Sequence, residues 1–332
     1  MLTLKMDGDS QVRVIEQLDP TPGPDQVLIR TVVSAVCGSE LHTYRGPGRP
    51  QGNSGHEAAG TIISAGSQVT GIDIGARVGI SAVAGCGECA YCAEGRQTWC
   101  AHRRYCDSTH ATLIVAPESA CRLLPDDVPW EAGVLLAGDG LGVPYHTSTR
   151  LAAPSIRTVA IFGAGPIGLG NTLMQTFLGR EVIVVEPSAA RGELSRRLGA
   201  TQVIDPRSTD PVTRIRELTH GLGADACLEA AGRPDTLKQC FAAVRSGGTV
   251  AMNGEQPDVT LSPSDDFIRR DITAFGSWFY QEREYPRMIA AYRQGLAAER
   301  LITHRYPLAE ADSAFAEFAA SKTGKVLLTM PD

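Results

Sequence analysis

The glycine-rich stretch GAGPIG, residues 163–168, restricts the fold of this chain more than any other feature. It lies between an apolar run, TVAIF, and a helix-forming segment, so Gly163, Gly165 and Gly168 form a G-x-G-x-x-G motif. In this setting the first glycine permits a tight turn, the second lets a pyrophosphate approach the backbone, and the third lets the helix pack on the strand. The motif therefore predicts dinucleotide binding at the start of a helix, with Pro166 and Ile167 in the binding turn.

The sequence around this motif alternates between strand-like and helix-like segments. Six apolar runs predict strands: TVAIFG (158–163), EVIVVE (181–186), TQVID (201–205), DACLEAAG (225–232), GTVAMNG (248–254) and ITAFGSWF (272–279). Helix-like segments lie between them, for example 188–198, 211–220 and 234–245. This alternation predicts an α/β domain with a doubly wound parallel sheet.

The chain before residue 150 has a different character. Short β-rich runs alternate with glycine and proline, and helical periodicity is scarce, which predicts an irregular β-rich domain. The runs are QVLIRTVVSAV (26–36), AAGTIISAG (58–66), ARVGISAV (76–83) and ATLIVAP (111–117). The final segment, 307–330, predicts a helix followed by a strand, and we expect it to rejoin this first domain.

An acidic residue at the end of the second predicted strand bears on which dinucleotide is bound. Glu186 lies 18 residues beyond Gly168, where a carboxylate binds the adenosine ribose hydroxyls and repels a 2′-phosphate. Glu186 therefore predicts that the chain binds NAD rather than NADP. Nearby arginines leave NADP open as an alternative, although we expect Arg191 to lie against the adenosine half of the cofactor and Arg196 and Arg197 to face solvent.

Four cysteines lie within the stretch GCGECAYCAEGRQTWC, residues 85–100. Cys86, Cys89, Cys92 and Cys100 have the spacing C-x2-C-x2-C-x7-C, and they provide enough thiolates to fill a tetrahedral zinc site. Such a closed site has no position for a substrate, so we predict that this zinc is structural. The chain has nine cysteines and no secretory signal, which favours metal binding over disulfides.

Composition excludes several other functions. The chain has 332 residues, long enough for two domains, and a net charge of −6, which argues against binding nucleic acid or anionic membranes. No apolar run reaches about 18 residues, so no membrane span is expected. We expect a cytoplasmic protein without nucleic-acid or membrane partners.

Together, four motifs resemble the zinc-dependent medium-chain dehydrogenase/reductase family, in its alcohol, sorbitol and threonine dehydrogenase group. They are CGSELH (37–42), GHEAAG (55–60), the four-cysteine stretch and GAGPIG, in the family's order and over essentially the whole chain. The resemblance implies a GroES-like catalytic domain formed by residues 1–144 and 282–332, with a structural zinc lobe at 85–101. It also implies a Rossmann NAD-binding domain at 145–281.

The resemblance also implies a second, catalytic zinc, so that we expect two zinc ions per chain. Cys37 and His56 match two of its ligands. At the third position the polyol branch of the family has glutamate and the alcohol branch cysteine, whereas this chain has Asp139, which binds the zinc either directly or through a water. Glu57 matches a glutamate beside the metal that exchanges with its water and is a possible ligand in some states.

Further roles follow from the same resemblance. Ser39 matches the hydroxyl that receives the substrate proton, His42 matches the histidine that relays the proton, and Glu40 matches an acidic residue that supports the zinc site. By position only, backbone at Ala231 and Asn253 is expected beside the nicotinamide.

The predicted reaction is reversible oxidation of a secondary alcohol on a sugar, polyol, aminocyclitol or aminosugar to the ketone, with hydride transfer to NAD. Tyr44, Glu255 and Trp278 are candidate substrate contacts, although Glu255 is more readily interpreted as a solvated loop acid. A GGYAEY-like passage of the family is replaced here by CDSTHATLIV (106–115), so no named substrate transfers. The family also implies a homodimer or homotetramer.

Two alternatives stay open at this stage. The first is an NAD(P)H-dependent carbonyl reductase that acts on another small substrate. The second is a non-catalytic zinc-ribbon module that binds nucleic acid or a partner protein, although the region around its cysteines has little basic character.

Overall fold

The computed structural model describes residues 1–331, which form two compact units. The first comprises Met1–Gly142 together with the chain from Phe279 onward, and the second comprises Val143–Trp278. In chain order the strands are β1 (Leu2–Gly8), β2 (Gln11–Glu16), β3 (Gln26–Val36), β4 (Ala58–Ala65), β5 (Arg77–Ile80), β6 (Val83–Ala84), β7 (Arg104–Tyr105), β8 (Leu113–Pro117), β9 (Cys121–Leu123), β10 (Thr158–Phe162), β11 (Glu181–Val185), β12 (Gln202–Ile204), β13 (Ala224–Glu229), β14 (Val244–Met252), β15 (Thr273–Gly276), β16 (Ile302–Pro307) and β17 (Lys325–Thr329). The α-helices are α1 (Glu40–Arg45), α2 (Ala90–Ala93), α3 (Trp130–Ala137), α4 (Asp139–Arg150), α5 (Pro166–Phe177), α6 (Ala189–Arg197), α7 (Pro211–Leu218), α8 (Pro234–Ala243), α9 (Tyr285–Arg293) and α10 (Ala311–Ala319).

The first unit is built on a seven-stranded sheet with the order β16-β17-β3-β4-β5-β9, in which β8 also pairs with β3. The long strand β3 contains four valines; every second residue is buried in its first part, and residues 33–36 are all buried. The last strand, β17, lies antiparallel to β3, with Val326 opposite Val36. Residues from the two ends of the chain therefore lie side by side in one sheet.

The second unit contains a six-stranded, all-parallel sheet with the order β12-β11-β10-β13-β14-β15. The strands are apolar along their length because helices cover both faces of such a sheet. The order reverses between β10 and β13, and ligands of doubly wound sheets bind at the carboxyl ends of the strands near this reversal. The predicted doubly wound sheet is confirmed.

Local sequence explains where several helices begin. The Asp210 side chain accepts a hydrogen bond from the Thr213 N–H, and Pro211 occupies the first turn of α7. Ser188 caps α6 in the same way, by accepting from the Arg191 N–H. These caps satisfy N–H groups that have no partner within the helix.

The predicted elements differ from the observed ones mainly at their ends. The strand predicted at 248–254 begins earlier, at Val244, and the strand predicted at 272–279 ends at Gly276. The chain leaves the sheet before Phe279, whose φ of 50° is incompatible with an extended strand. Among residues 1–331, no helix combines the length and apolar character that a membrane crossing needs.

Candidate metal and cofactor sites

Three separate segments of the first unit bring Cys37, His56 and Asp139 together. Cys37 follows the end of β3, His56 lies shortly before β4, and Asp139 is the first residue of α4. The Asp139 Oδ2 atom lies 3.1 Å from His56 Nε2 and 3.9 Å from Cys37 Sγ. One ligand atom from each of these three residues and one from Glu57 all lie within 4.8 Å of one another.

The donor set and its spacing fit a zinc ion. Ligands held about 2.0–2.3 Å from a tetrahedral zinc lie roughly 3.3–3.7 Å from one another, close to the observed separations. The other oxygen of Asp139, Oδ1, is buried and has no hydrogen-bond partner within residues 1–331. Burial disfavours the His56 imidazolium, but Cys37 and Asp139 outweigh burial and raise the His56 pKa well above its usual value. The site therefore attracts positive charge.

Glu57 and Lys325 form a buried ion pair beside this cluster. Lys325 is 1% exposed, and its ammonium contacts Glu57 Oε1. The other oxygen of Glu57 accepts from the Gly140 N–H at 3.2 Å. Burial raises the Glu57 pKa, and Lys325 opposes that shift. Burial also disfavours the Lys325 ammonium, but the attraction of Glu57 and Cys37 raises the Lys325 pKa above its usual value. The Lys325 ammonium thus balances the charge of the Glu57 carboxylate next to the cluster.

Glu40 contacts the backbone of Cys37. Its Oε1 atom accepts from the Cys37 N–H at 2.8 Å, and its Oε2 atom lies 2.9 Å from His110 Nε2. Burial raises the Glu40 pKa, but His110, His56 and the Cys37 N–H together bring it below its usual value. Glu40 thus stabilises the loop that carries Cys37.

The predicted proton-relay residues lie near the surface. Ser39 immediately precedes α1, is exposed, and makes no side-chain capping bond to that helix. His42 is exposed in the same helix, three residues later. Residues three apart on a helix are neighbours on its surface. Both side chains are therefore open to solvent, within six residues of Cys37.

The four cysteines of the stretch 85–100 also converge. Cys92 Sγ lies 3.9 Å from Cys86 Sγ and 3.6 Å from Cys89 Sγ, and ligand atoms of all four cysteines lie within 4.8 Å of one another. Thiolates bound to a tetrahedral zinc lie roughly 3.8 Å apart, so the group fits one closed zinc site. Hydrogen bonds from the backbone of residues 88 and 89 lower the Cys86 pKa to about 6, which favours the thiolate.

The glycine motif has the conformation that its sequence predicts. Gly163 has a φ of 98°, and a Cβ there would lie 2.9 Å from Ala231. A Cβ on Gly168 would lie 1.9 Å from the Gly163 carbonyl oxygen, whereas one on Gly165 meets nothing within 4 Å. Helix α5 begins directly afterwards at Pro166. Its first N–H groups and the open space at Gly165 provide the surroundings that a pyrophosphate needs.

Glu186 follows β11, beside this motif. Its Oε2 accepts from the Ala164 N–H at 2.7 Å, and its Oε1 accepts from the Ser188 N–H at 2.8 Å. The side chain of Arg191 is partly buried, which lowers its pKa, while Glu186 opposes that shift. The carboxylate therefore lies against the glycine loop, with a cationic side chain nearby.

The side chain of Asn253 belongs to a polar network inside the second unit. Its Oδ1 accepts from Asn171 at 3.0 Å, and its Nδ2 donates to Thr147 Oγ1 at 3.0 Å and to the Ser277 carbonyl at 3.3 Å. Neighbouring loops are held by Glu229, whose Oε1 accepts from the N–H groups of Ala231 and Gly232 at 2.9 Å. These bonds fix the loops at the carboxyl ends of β13 and β14.

Comparison with known proteins places this arrangement in a family. Residues 23–126 match the alcohol dehydrogenase GroES-like domain, and residues 166–294 match the zinc-binding dehydrogenase domain. The chain is 30% identical to a sorbitol dehydrogenase of Halalkalibacterium halodurans, over 98% of this chain and 97% of that protein. It is 32% identical to an L-threonine 3-dehydrogenase of Pyrococcus horikoshii, over 94% and 93%. The solved structure of an alcohol dehydrogenase from Thermus sp. ATN1 superposes with a TM-score of 0.89 at 26% identity, covering 100% of both chains.

The chain belongs to the zinc-binding medium-chain alcohol dehydrogenase family. The predicted fold, a GroES-like domain with a Rossmann coenzyme domain, is confirmed, and so is the predicted enzyme class. This dehydrogenase is a zinc-containing, NAD(P)-dependent oxidoreductase that acts on a small alcohol. The non-catalytic zinc-ribbon alternative is therefore wrong.

The predicted substrate contacts of this dehydrogenase lie in different surroundings. Tyr44 is 5% exposed, and its ring packs 5.4 Å from the ring of Phe315 in a core cluster. We therefore leave Tyr44 out of the proposed substrate site. Glu255 is exposed and Trp278 is partly buried, and both stay predictions as substrate contacts.

Sequence reasoning overlooked two residues near the candidate catalytic site of the dehydrogenase, Lys325 and His110. Lys325 directly precedes the apolar run VLLTM (326–330), and a charged residue at the start of such a strand was the available signal. His110 carried no comparable signal, because a lone histidine is usually a satisfied polar group. Its partners come from segments about 70 residues away.

Proposed function

We propose that this dehydrogenase oxidises a secondary alcohol on a sugar, polyol, aminocyclitol or aminosugar to the ketone, with NAD as the hydride acceptor. The relatives named above are, by their names, dehydrogenases of sorbitol and of L-threonine. Both compounds carry a secondary hydroxyl beside other polar groups, which supports a polar substrate. The observation that carries the proposal is the convergence of Cys37 Sγ, His56 Nε2 and Asp139 Oδ2 in a buried site.

Cys37, His56 and Asp139 are the proposed ligands of the catalytic zinc. Three protein ligands leave one position open for the substrate hydroxyl, as catalytic zinc sites require. When bound there, the zinc supplies the Lewis acidity that makes the hydroxyl proton easier to remove. The separation of 3.1 Å between Asp139 Oδ2 and His56 Nε2 supports direct ligation by Asp139 rather than ligation through a water.

Ser39 and His42 are the proposed proton carriers. Ser39 accepts the proton of the substrate hydroxyl while its own hydroxyl proton passes to His42, and His42 releases a proton to solvent. The exposure of both side chains and the absence of a capping bond from Ser39 to α1 support these roles. Glu57 remains paired with Lys325 beside the site and balances its charge there.

The second unit holds the proposed NAD. The N–H groups after Gly165 bind the pyrophosphate, and Glu186 accepts hydrogen bonds from the adenosine ribose. A carboxylate has about four lone-pair sites, so Glu186 can accept from a ribose hydroxyl while it keeps its two backbone donors. Arg191 lies against the adenosine half, and backbone at Ala231 and Asn253 lines the nicotinamide. When bound, NAD would supply the hydride acceptor for this oxidation.

Metal analysis of wild type and of Cys37→Ala tests the metal site. We expect two zinc ions per wild-type chain, one zinc in Cys37→Ala, and no turnover by that variant with any alcohol in a panel of polyols, aminocyclitols and L-threonine. Cys227→Ala is the matched control, because Cys227 is also a buried cysteine but lies in the core of the second unit. Retained turnover in Cys37→Ala would refute the proposed site.

The choice of cofactor is tested separately with Glu186. We expect wild type to prefer NAD to NADP, and Glu186→Gln to reduce that preference by about tenfold, because the variant no longer repels a 2′-phosphate. Steady-state rates with NAD and NADP measure the preference. A wild-type preference for NADP would overturn the assignment to NAD. We also propose a homodimer or homotetramer, which light scattering of the purified protein tests.

A further inference from the structure

The side chain of His110 lies within a buried polar chain next to the candidate catalytic site. Its Nδ1 atom is 2.8 Å from Ser34 Oγ, and its Nε2 atom is 2.9 Å from Glu40 Oε2. Ser34, Glu40 and His110 are each 0% exposed. Buried polar groups at this depth stabilise a structure only when all of them have partners, and here both ring nitrogens do.

This row of hydrogen-bonded side chains reaches the segment of Cys37 through Glu40. A carboxylate can only accept hydrogen bonds, so His110 Nε2–H donates to Glu40 Oε2. The other oxygen of Glu40 accepts from the Cys37 N–H at 2.8 Å. The imidazole thus fixes the orientation of the carboxylate that fixes the backbone of Cys37.

The imidazole ring also contacts the segment of His56. A Cβ on Gly55 would lie 2.6 Å from His110 Cδ2, so the backbone beside His56 packs directly on the ring. Asn53 forms a second connection between His110 and the segment of His56. Its Oδ1 accepts from the N–H groups of Gly55 and His110 at 3.1 and 3.2 Å, and its Nδ2 donates to the His110 carbonyl at 3.3 Å.

We propose that His110 is a positioning residue that holds the Cys37 and His56 segments in the arrangement a zinc ion requires. The proposal rests on the proposed function, in which Cys37 and His56 are ligands of the catalytic zinc. Residues that orient metal ligands typically change metal affinity by 10–100-fold when they are replaced. His110 reaches both ligand segments at once, through hydrogen bonds to one and ring packing against the other.

Removing the ring nitrogens has a definite physical consequence. Without His110 Nε2–H, one oxygen of the Glu40 carboxylate loses its donor in a fully buried site. An unsatisfied buried acceptor is unfavourable, so Glu40 rotates toward another donor. That rotation weakens its bond to the Cys37 N–H and loosens the ligand loop, while the four-cysteine lobe, which makes no contact with His110 in this network, is unaffected.

Two amide substitutions form a matched pair that tests this geometry. The amide of His110→Gln reaches the position of Nε2 and can donate to Glu40, whereas the shorter amide of His110→Asn reaches only the position of Nδ1 near Ser34. Both variants lose the aromatic ring, so they share its packing cost. His110→Phe keeps a ring but loses both nitrogens, and Ser34→Ala removes only the bond to Nδ1.

The experiment measures metal binding to the purified full-length protein in competition with a chelator. It also records the visible spectrum of protein with cobalt at the Cys37 site and zinc in the lobe. We expect His110→Asn and His110→Phe to weaken metal binding at the Cys37 site by about 10–100-fold and to alter the cobalt spectrum. We expect His110→Gln and Ser34→Ala to stay within about threefold of wild type, and every variant to keep the lobe metal.

The outcomes separate this inference from the function on which it rests. Equal metal affinities and identical cobalt spectra for the Asn and Gln variants would overturn the positioning role, even if both melt at lower temperature than wild type. That comparison holds even if His110→Phe fails to fold. By contrast, a Cys37→Ala variant that keeps both zinc ions would refute the metal site itself. A wild-type site that depends on Cys37 but is indifferent to His110 refutes the present inference alone.

Discussion

The four-cysteine lobe and the Cys37 cluster are both suited to zinc, but they are assembled in opposite ways. The lobe takes four identical ligands from 15 consecutive residues, whereas the cluster takes a thiolate, an imidazole and a carboxylate from segments up to 102 residues apart. The lobe helix α2 buries none of its residues, while the cluster is surrounded by buried side chains such as Glu40, Glu57 and Lys325.

This difference indicates what each metal does for the protein. Within the lobe the metal replaces a hydrophobic core, so its binding energy is folding energy. Gln97 connects the lobe to the rest of the first unit: its side chain donates a hydrogen bond to the Tyr280 carbonyl and accepts one from the Glu282 N–H. In the cluster, separate segments of the fold bring the proposed ligands together, and we propose that the remaining position on the metal takes the substrate. Four predictions sharpen this contrast.

The largest expected effect is on stability, from the lobe. Cys100→Ser replaces a fully buried thiolate ligand, and we expect the lobe zinc to be lost together with about 5 kcal/mol or more of stability, since structural zinc sites bind with roughly 10–16 kcal/mol. Urea denaturation and metal analysis measure both. If Cys100→Ser lost its metal but unfolded at the same urea concentration as wild type, the lobe metal would not be structural.

The ion pair beside the cluster gives the next largest effect. Lys325→Met leaves Glu57 charged, buried and unpaired, and we expect a loss of about 3–5 kcal/mol in the free energy of unfolding. The double variant Lys325→Met/Glu57→Gln removes both charges and should recover most of that loss. A double variant no more stable than the single one would show that Lys325 acts through packing and not through its charge.

Asp139 gives a smaller effect, on activity. Asp139→Asn keeps the size of the side chain but removes its charge, and we expect kcat/KM to fall about 100-fold, equivalent to about 2.7 kcal/mol. Zinc at the Cys37 site should bind more weakly, while the lobe metal stays. Steady-state kinetics and metal analysis check this expectation. Unchanged kcat/KM in Asp139→Asn would mean that Asp139 does not ligate the metal directly.

The smallest effect is expected from the aromatic side chains of the lobe. Trp99 is 48% exposed, packs edge-on against Tyr91, and has the Arg96 guanidinium 4.8 Å from its ring centroid. We expect Trp99→Ala to cost about 1 kcal/mol, because exposed contacts of this kind contribute about 0.5–1 kcal/mol. A loss comparable to that of Cys100→Ser, in the same urea titration, would show that the lobe has an aromatic core after all.

Much of the fold was predictable because its signals are local. The parallel sheet follows from apolar runs such as those of β10 and β11, and the glycine turn follows from Gly163 and Gly168, where a side chain has no room. Strand ends were less predictable. The last strand of the sheet stops at Gly276 because the chain turns before Phe279, and the apolar sequence gives no sign of that turn.

The sequence by itself determined the lobe and the glycine motif, since each lies in a short pattern whose chemistry is complete within a few residues, whereas the candidate ligands Cys37, His56 and Asp139 followed from the family resemblance. Only the tertiary structure decided that Asp139 Oδ2 reaches His56 Nε2, that Lys325 pairs with Glu57, and that His110 contacts both Glu40 and Gly55. Those contacts depend on how β3, β17, the start of α4 and the segments before β4 and β8 pack together in the first unit. Such long-range pairings leave no periodic trace in the sequence, because the partners are chosen by packing and not by spacing along the chain.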